Sequence, residues 1–157
     1  MDSQSQRQRW LSVLAQADAG ALETACAPLA ELMSKPWQWL RQPETGLVMV
    51  RGRIGGTGAK FNLGEVPVTR CALRLEQING IGAVGVSWVQ GRNAQHAALA
   101  ARLDALLQDP AICERLHAEV IDPLAAAQAA RRDDIARKAA ATKVEFYTLA
   151  REVQAAA

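Results

Sequence analysis

The chain has 157 residues, half of them apolar, a formal net charge of +2 and three cysteines. That length suits a single domain able to remove roughly 70% of its unfolded surface from water, and so small a charge gives no ground for a polyanionic partner. Cys26, Cys71 and Cys113 are widely spaced and include no Cys-x-x-Cys pair, so they supply neither a disulfide framework nor a zinc or iron–sulfur ligand set.

Only four Trp, two Phe and one Tyr are present. The core must therefore be aliphatic and alanine-based, which buries little area per residue and predicts modest stability without a partner. Residues 2–9 are polar and basic with no apolar stretch of signal-peptide length behind them, and no run of about 18 apolar residues occurs. The expectation is a reduced, soluble, cytoplasmic protein.

Residues 5–18 place Trp10, Val13, Leu14 and Ala17 at i, i+3, i+4 and i+7, an amphipathic helix that Gly20 interrupts. Leu22, Cys26, Leu29 and Met33 mark a second helical face, which Pro28 should kink because it removes a rung of the hydrogen-bond ladder. From Trp37 the period shifts toward two. Leu47, Met49, Arg51 and Arg53 alternate with Val48 and Val50. Residues 68–75 send Thr69, Cys71, Leu73 and Leu75 to one face and Arg70, Ala72 and Arg74 to the other. Residues 84–90 offer Val84, Val86 and Trp88 on a single face, with a bulge expected where Gly80, Gly82 and Gly85 weaken the strand's start. Short glycine-bearing connections between these strands predict an antiparallel meander with one apolar and one wetter face.

The last third reads as helical. Asn93 is an N-cap candidate for a helix carrying His96, Leu99, Leu103, Leu106 and Leu107 on one side. Asp109-Pro110 and Asp122-Pro123 repeat one start signal, a capping side chain followed by proline at the first helical position. The first opens a helix with Ile112, Leu116 and Val120 aligned. The second opens an alanine-rich, charged helix to about Thr142, anchored mainly by Leu124 and Ile135. The fold class is thus α+β: an antiparallel meander flanked by N-terminal helices and a C-terminal helical region. Residues 1–157 form one domain, with 123–157 as a docking extension in which Arg131, Arg132 and Ile135 are followed by Val144, Phe146 and Tyr147.

Few motifs carry chemistry. Gly55-Gly56-Thr57-Gly58-Ala59-Lys60 invites a phosphate-loop reading, since successive backbone N–H groups can cradle an anion. The P-loop needs Gly-Lys followed by Ser or Thr at a helix start, whereas here Ala59 precedes Lys60 and strand-like Phe61 follows. The loop is either a tight connection using positive φ at its glycines or a phosphate or partner contact. Arg51, Arg53, Arg70 and Arg74 would form a basic stripe on the wetter face if their strands are neighbours, without the interleaved aromatic platforms that nucleic-acid binding wants. Arg92 and His96 sit four apart on one face at a helix start; a lone His with no carboxylate, Ser or Cys partner reads as structural more often than as a proton shuttle, and the pair is placed at an intersubunit surface. No Ser-His-Asp order, His-Glu-x-x-His or paired-carboxylate signature appears, so no catalytic or metal-ligating residue is assigned.

Five short words recur in order along the chain: Glu44-Thr45-Gly46-Leu47-Val48, Gly55-Gly56-Thr57-Gly58, Val68-Thr69-Arg70, Val89-Gln90-Gly91-Arg92 with His96-Ala97, and Val144-Glu145-Phe146-Tyr147-Thr148. In this order they resemble the small G subunit (PhnG) family of the bacterial phosphonate carbon–phosphorus lyase core complex. Asn93 and Ala98 stand where that family usually has acidic residues, and residues 76–85 are longer and richer in glycine.

The resemblance implies an accessory subunit of a transferase complex. With the H, I and L subunits it would act on ATP and a phosphonate, releasing adenine and forming ribose 1-phosphonate 5-triphosphate. The iron–sulfur cluster and S-adenosylmethionine belong to the J subunit, so no cofactor is expected in this chain. The implied partners are H, I and J, with L more loosely held and two copies of each core subunit, and neither nucleic acid nor membrane. Phosphate or partner contacts would fall on Gly55, Gly56, Thr57, Gly58, Arg70, Arg92 and His96. The residues by themselves also admit a stand-alone phosphate- or nucleotide-binding module using the Gly55-Gly58 loop, or a helical adaptor.

Overall fold

A computed structural model describes residues 3–54, 57–76 and 82–142. Helices α1 (Ser3–Gln16), α2 (Ala19–Cys26) and α3 (Ala30–Met33) lead into three strands, β1 (Trp37–Arg53), β2 (Lys60–Leu75) and β3 (Val84–Gln90). Helices α4 (Ala94–Leu107), α5 (Pro110–Leu116) and α6 (Asp122–Ala141) follow. The strands form one antiparallel sheet in the order β1-β2-β3, the expected meander. The helices cover one of its faces, and the core lies between.

That core is mostly leucine and alanine. Leu14 from α1, Leu22 and Leu29 from the second helical segment, Leu73 from β2, and Leu103, Leu106 and Leu107 from α4 are all fully buried. Thr69, Cys71, Leu73 and Leu75 face the helices as alternation predicts, and Arg70, Ala72 and Arg74 face outward. Asn93 caps α4, its Oδ1 accepting the His96 N–H at 2.9 Å.

Several expectations need correction. The first helix ends before Gly20: Asp18 caps α2 by accepting the Ala21 N–H at 3.1 Å, which leaves Gly20 inside the new helix. Pro28 does bend the next segment, which passes through a 3-10 turn at Ala27–Leu29. The first and second strands are longer than their apolar patterns suggested, because β2 begins at Lys60. Pro67 is tolerated within it because its nitrogen points to the side where β3 has ended, and its carbonyl there accepts the Gly91 N–H at 2.8 Å.

β3 turns over relative to the apolar pattern. Gly85, Ser87 and Val89 face the helices, while Trp88 lies exposed on the outer face. Close approach decides this rather than hydrophobicity. A Cβ at Gly85 would lie 1.8 Å from the Ala101 carbonyl oxygen, so α4 packs directly on backbone. No register shift falls in β3, so the expected bulge does not form at Gly82 or Gly85; Gly80 is outside the described residues. The irregularities lie in the β1–β2 ladder instead, between Trp39 and Arg41, between Arg41 and Glu44, and between Val50 and Arg51.

Asp109 caps α5 as expected, accepting the Ala111 N–H at 3.0 Å. Asp122 does not repeat it. The chain runs helically from α5 through a π turn at His117–Ile121 into α6, and no side chain caps the junction. The wider turn bonds the Asp122 N–H to the His117 carbonyl, making room for Pro123, which has no N–H to give to a four-residue ladder.

Candidate functional site

Beyond the end of β3, residues 47–53 and 60–67 continue as a two-stranded arm, and among the described residues no further strand pairs with either long edge. At about 3.4 Å per residue it extends roughly 25 Å. Ile54, Thr57 and Gly58 lie at its tip. Gly55 and Gly56 lie outside the described residues, and Thr57 is exposed. Gly58 does not take the expected positive φ. Its N–H bonds to the Ile54 carbonyl at 3.1 Å, and a Cβ there would come within 3.0 Å of the same oxygen. Arg53 Nη1 donates to the Gly58 carbonyl at 2.8 Å, tying the turn to β1. Glycine freedom is used at Gly91 instead. Its φ of 102° ends β3, and its carbonyl accepts a 2.7 Å bond from the Thr69 hydroxyl.

A polar cluster occupies the outer sheet face where the arm begins. The two irregularities around Arg41 give β1 extra residues relative to β2, which bring Arg41 and Glu44 to the face carrying Arg70. Arg41 and Arg70 both donate to Glu44 Oε1, the latter at 2.7 Å. Those two hydrogen bonds, Arg41's first, hold the Glu44 carboxyl below its usual range. Arg70 also lies 5.2 Å from the Trp88 ring centre, within cation–π range. Two adjoining hollows of about 370 and 170 Å³ share Arg70 and Trp88. With one carboxylate between two guanidiniums, the cluster keeps a net positive charge suited to a carboxylate or phosphate group.

The expected basic stripe does not form. Glu44 opposes Arg70 and Arg51 opposes Asn62, so Arg51 and Arg53 lie roughly 25 Å along the ribbon from Arg70 at about 3.3 Å per residue. Alternation also turns them to the other face of β1.

The Arg92–His96 surface pair is corrected too. Arg92 is exposed, but His96 is only 6% exposed, and its Nε2 donates to the Leu14 carbonyl at 2.8 Å, joining α4 to α1. The structure gives His96 a place in the core, separated from Arg92 by burial.

Asp104 escaped the sequence reading. Fully buried on α4, it accepts from Arg7 Nε at 3.1 Å, Arg7 Nη2 at 2.7 Å, Trp10 Nε1 at 2.8 Å and the Val86 N–H at 2.9 Å. The only sequence signal was a carboxylate amid the apolar residues of a buried helix. A second internal seam joins Ser87 Oγ to the Ala97 carbonyl at 2.7 Å, with Cys71 Sγ 3.3 Å from both. Burial raises the Cys71 thiol, and it pushes Cys26 up to about 11 against the opposing pull of Arg102. Neither is a reactive thiolate at neutral pH.

α6 divides in two. Leu124 is buried and Gln128 Nε2 donates to the Val13 carbonyl at 2.7 Å, which seats its first turns. Beyond them Arg131 and Arg132 are exposed and Ile135 stands 59% exposed, while Val144, Phe146 and Tyr147 lie outside the described residues. Among the described residues no three metal-donor side chains converge, and no helix is long and apolar enough to cross a membrane.

Fold and site together define a small α+β domain whose buried polar groups mostly bond internally and whose outer sheet face and arm are left uncovered by the other described residues. Comparison with known proteins is specific. The family model for phosphonate metabolism protein PhnG matches residues 5–152. The PhnG subunit of alpha-D-ribose 1-methylphosphonate 5-triphosphate synthase from Rhizobium meliloti is 42% identical over 151 residues, spanning 94% of this chain and 90% of that protein. The chain belongs to the PhnG family.

Proposed function

We propose that the chain is the G-type subunit of an alpha-D-ribose 1-methylphosphonate 5-triphosphate synthase. The observation that carries this reading is 42% identity to such a subunit across 94% of the chain. With H, I and L subunits it serves a reaction in which a phosphonate displaces adenine from C1 of the ATP ribose. The cofactor-dependent cleavage that follows belongs to the J subunit, so this chain holds no cofactor of its own. It assembles with H, I and J, two copies of each, in the cytoplasm.

Its contribution is structural and electrostatic. Asp104, Thr69, Ser87 and His96, the buried polar side chains among the described residues, are committed to internal hydrogen bonds, which leaves them poorly placed for proton transfer to a substrate. The Glu44–Arg70–Trp88 cluster and the bare half of α6 are the surfaces offered to other subunits. The test is reconstitution. H, I and L subunits with ATP and methylphosphonate should release adenine only when this chain is present, and the chain alone should release none. Equal release without the chain overturns the reading, as does steady release by the pure chain above a matched-mutant background.

A further inference from the structure

The described residues expose nine large apolar side chains, and six of them stand on or at the tip of the arm: Leu47, Val48, Met49, Ile54, Phe61 and Leu63. Leu47 and Leu63 are each 61% exposed and Ile54 76%. Together they present on the order of several hundred Å² of apolar surface, the scale at which a patch marks an interaction site. The surface is two-sided. Leu47 and Met49 continue the face of Thr45, whose hydroxyl meets Thr69 at 2.9 Å on the helix side. Val48 opposes Val66 on the other face, and Leu63 lies over Gly52 there, where a Cβ would meet its Cδ1 at 2.7 Å. A two-stranded ribbon is at best marginally stable alone in water, and among the described residues this one has no third strand and no covering helix along residues 60–67.

Charge selects the occupant. Arg51, Arg53 and Lys60 crowd the distal half, where Arg53 opposes Lys60 directly, and among the described residues none of the three makes an ion pair. A second copy meeting the arm face to face would set these cations against themselves and would cover one apolar face while leaving the other in water. We propose that the arm inserts into an apolar groove of a different subunit of the same synthase, one that encloses both faces and carries carboxylates around the mouth that receives the tip. This rests on the reading of the chain as a synthase subunit. It differs from docking through α6, which lies on separate elements.

The test uses the full chain and the other synthase subunits encoded with it, co-expressed and co-purified. Arg51→Glu with Arg53→Glu should slow association by roughly tenfold or more, and Leu47→Ser with Leu63→Ser should abolish co-purification. Both variants should keep the melting temperature of the wild-type chain, because these side chains lie outside the core. In the wild-type protein, amides of residues 47–53 and 60–66 should exchange fast in the free chain and become protected in the complex. Failure of the wild-type chain to assemble overturns the subunit reading itself. Normal assembly by the arm variants, or no gain of protection in an assembled complex, overturns the arm proposal alone. So does a homodimer of the pure chain that the arm variants dissociate.

Discussion

Asp104→Asn is the sharpest test of how this fold is held. The wild-type carboxylate is fully buried and accepts four hydrogen bonds, from two atoms of Arg7, from the Trp10 indole and from the Val86 amide. It thereby fastens α1 and β3 to α4 at a single point. Asparagine keeps the shape but offers one acceptor oxygen and an amide that points two N–H groups at donors. At least one buried donor loses its partner, at about 1–3 kcal/mol, and Arg7 loses its counter-charge. Breaking a fully buried pair costs about 3–5 kcal/mol. The Arg7 side chain is 34% exposed, so solvent recovers part of that. The expected total is roughly 2–4 kcal/mol, out of the 5–15 kcal/mol typical of a domain. Urea unfolding followed by far-ultraviolet circular dichroism should show a lower midpoint with unchanged slope. Arg7→Met leaves the fully buried Asp104 carboxylate without its counter-charge and should cost at least as much as Asp104→Asn, and the double variant should cost less than the two together, since the charges are coupled. A stability for Asp104→Asn within about 0.5 kcal/mol of wild type, the range of an ordinary surface change, would refute this account.

The remaining predictions concern other parts of the molecule. Gly85→Ala forces a Cβ against the Ala101 carbonyl and should destabilise by roughly 1–3 kcal/mol, whereas Gly46→Ala, with nothing within 4 Å, should be nearly neutral in the same urea assay. Cys26 is raised from 9.0 to about 11 by burial, so its contribution to stability is full below pH 9.0 and is lost as pH climbs toward 11. The unfolded state binds fewer protons across that window, so stability falls there, by at most about 1.4 kcal/mol per pH unit. Cys26→Ala should flatten the alkaline slope, and an unchanged slope counts against the assignment. Truncation after Ala141 should leave a cooperatively folding chain that co-purifies poorly with I and J subunits. Global unfolding of that fragment would exclude docking as the main role of the removed segment.

The sequence reading succeeded where one local rule decided the outcome. Alternation placed Thr69, Cys71, Leu73 and Leu75 inside, and side-chain capping chose Asn93 and Asp109. It failed where two elements had to meet. Ser87 and Gly85 look unlike core, yet α4 approaches β3 so closely that only small residues fit. Asp122-Pro123 carries the same start signal as Asp109-Pro110, but the burial of Leu116, Val120, Ile121 and Leu124 keeps the backbone helical through the junction. The candidate site was half legible. Glu44 and Arg70 stood in separate words of the sequence, and their contact depends on extra residues in β1 that only the pairing reveals. His96 looked like a surface partner of Arg92 because helical spacing says nothing about which side of the helix meets α1.

The π turn at His117–Ile121 has a consequence for α6 that lies some way off along the chain. A five-residue turn in a four-residue ladder advances the helix by one position, about 100° of rotation at 3.6 residues per turn. α5 and α6 are thus one rod cut and rejoined out of phase. Leu124 and Gln128 reach the body of the domain only in the shifted phase, and Arg131, Arg132 and Ile135 inherit their direction from it. Deleting one residue between His117 and Ile121 would leave helix propensity almost untouched. It would still swing the far half of α6 like a compass needle, about a quarter turn, at a point roughly 15 Å away. The bearing of that surface is set by the five residues of the turn, and the alanines and arginines that compose it have no say in it.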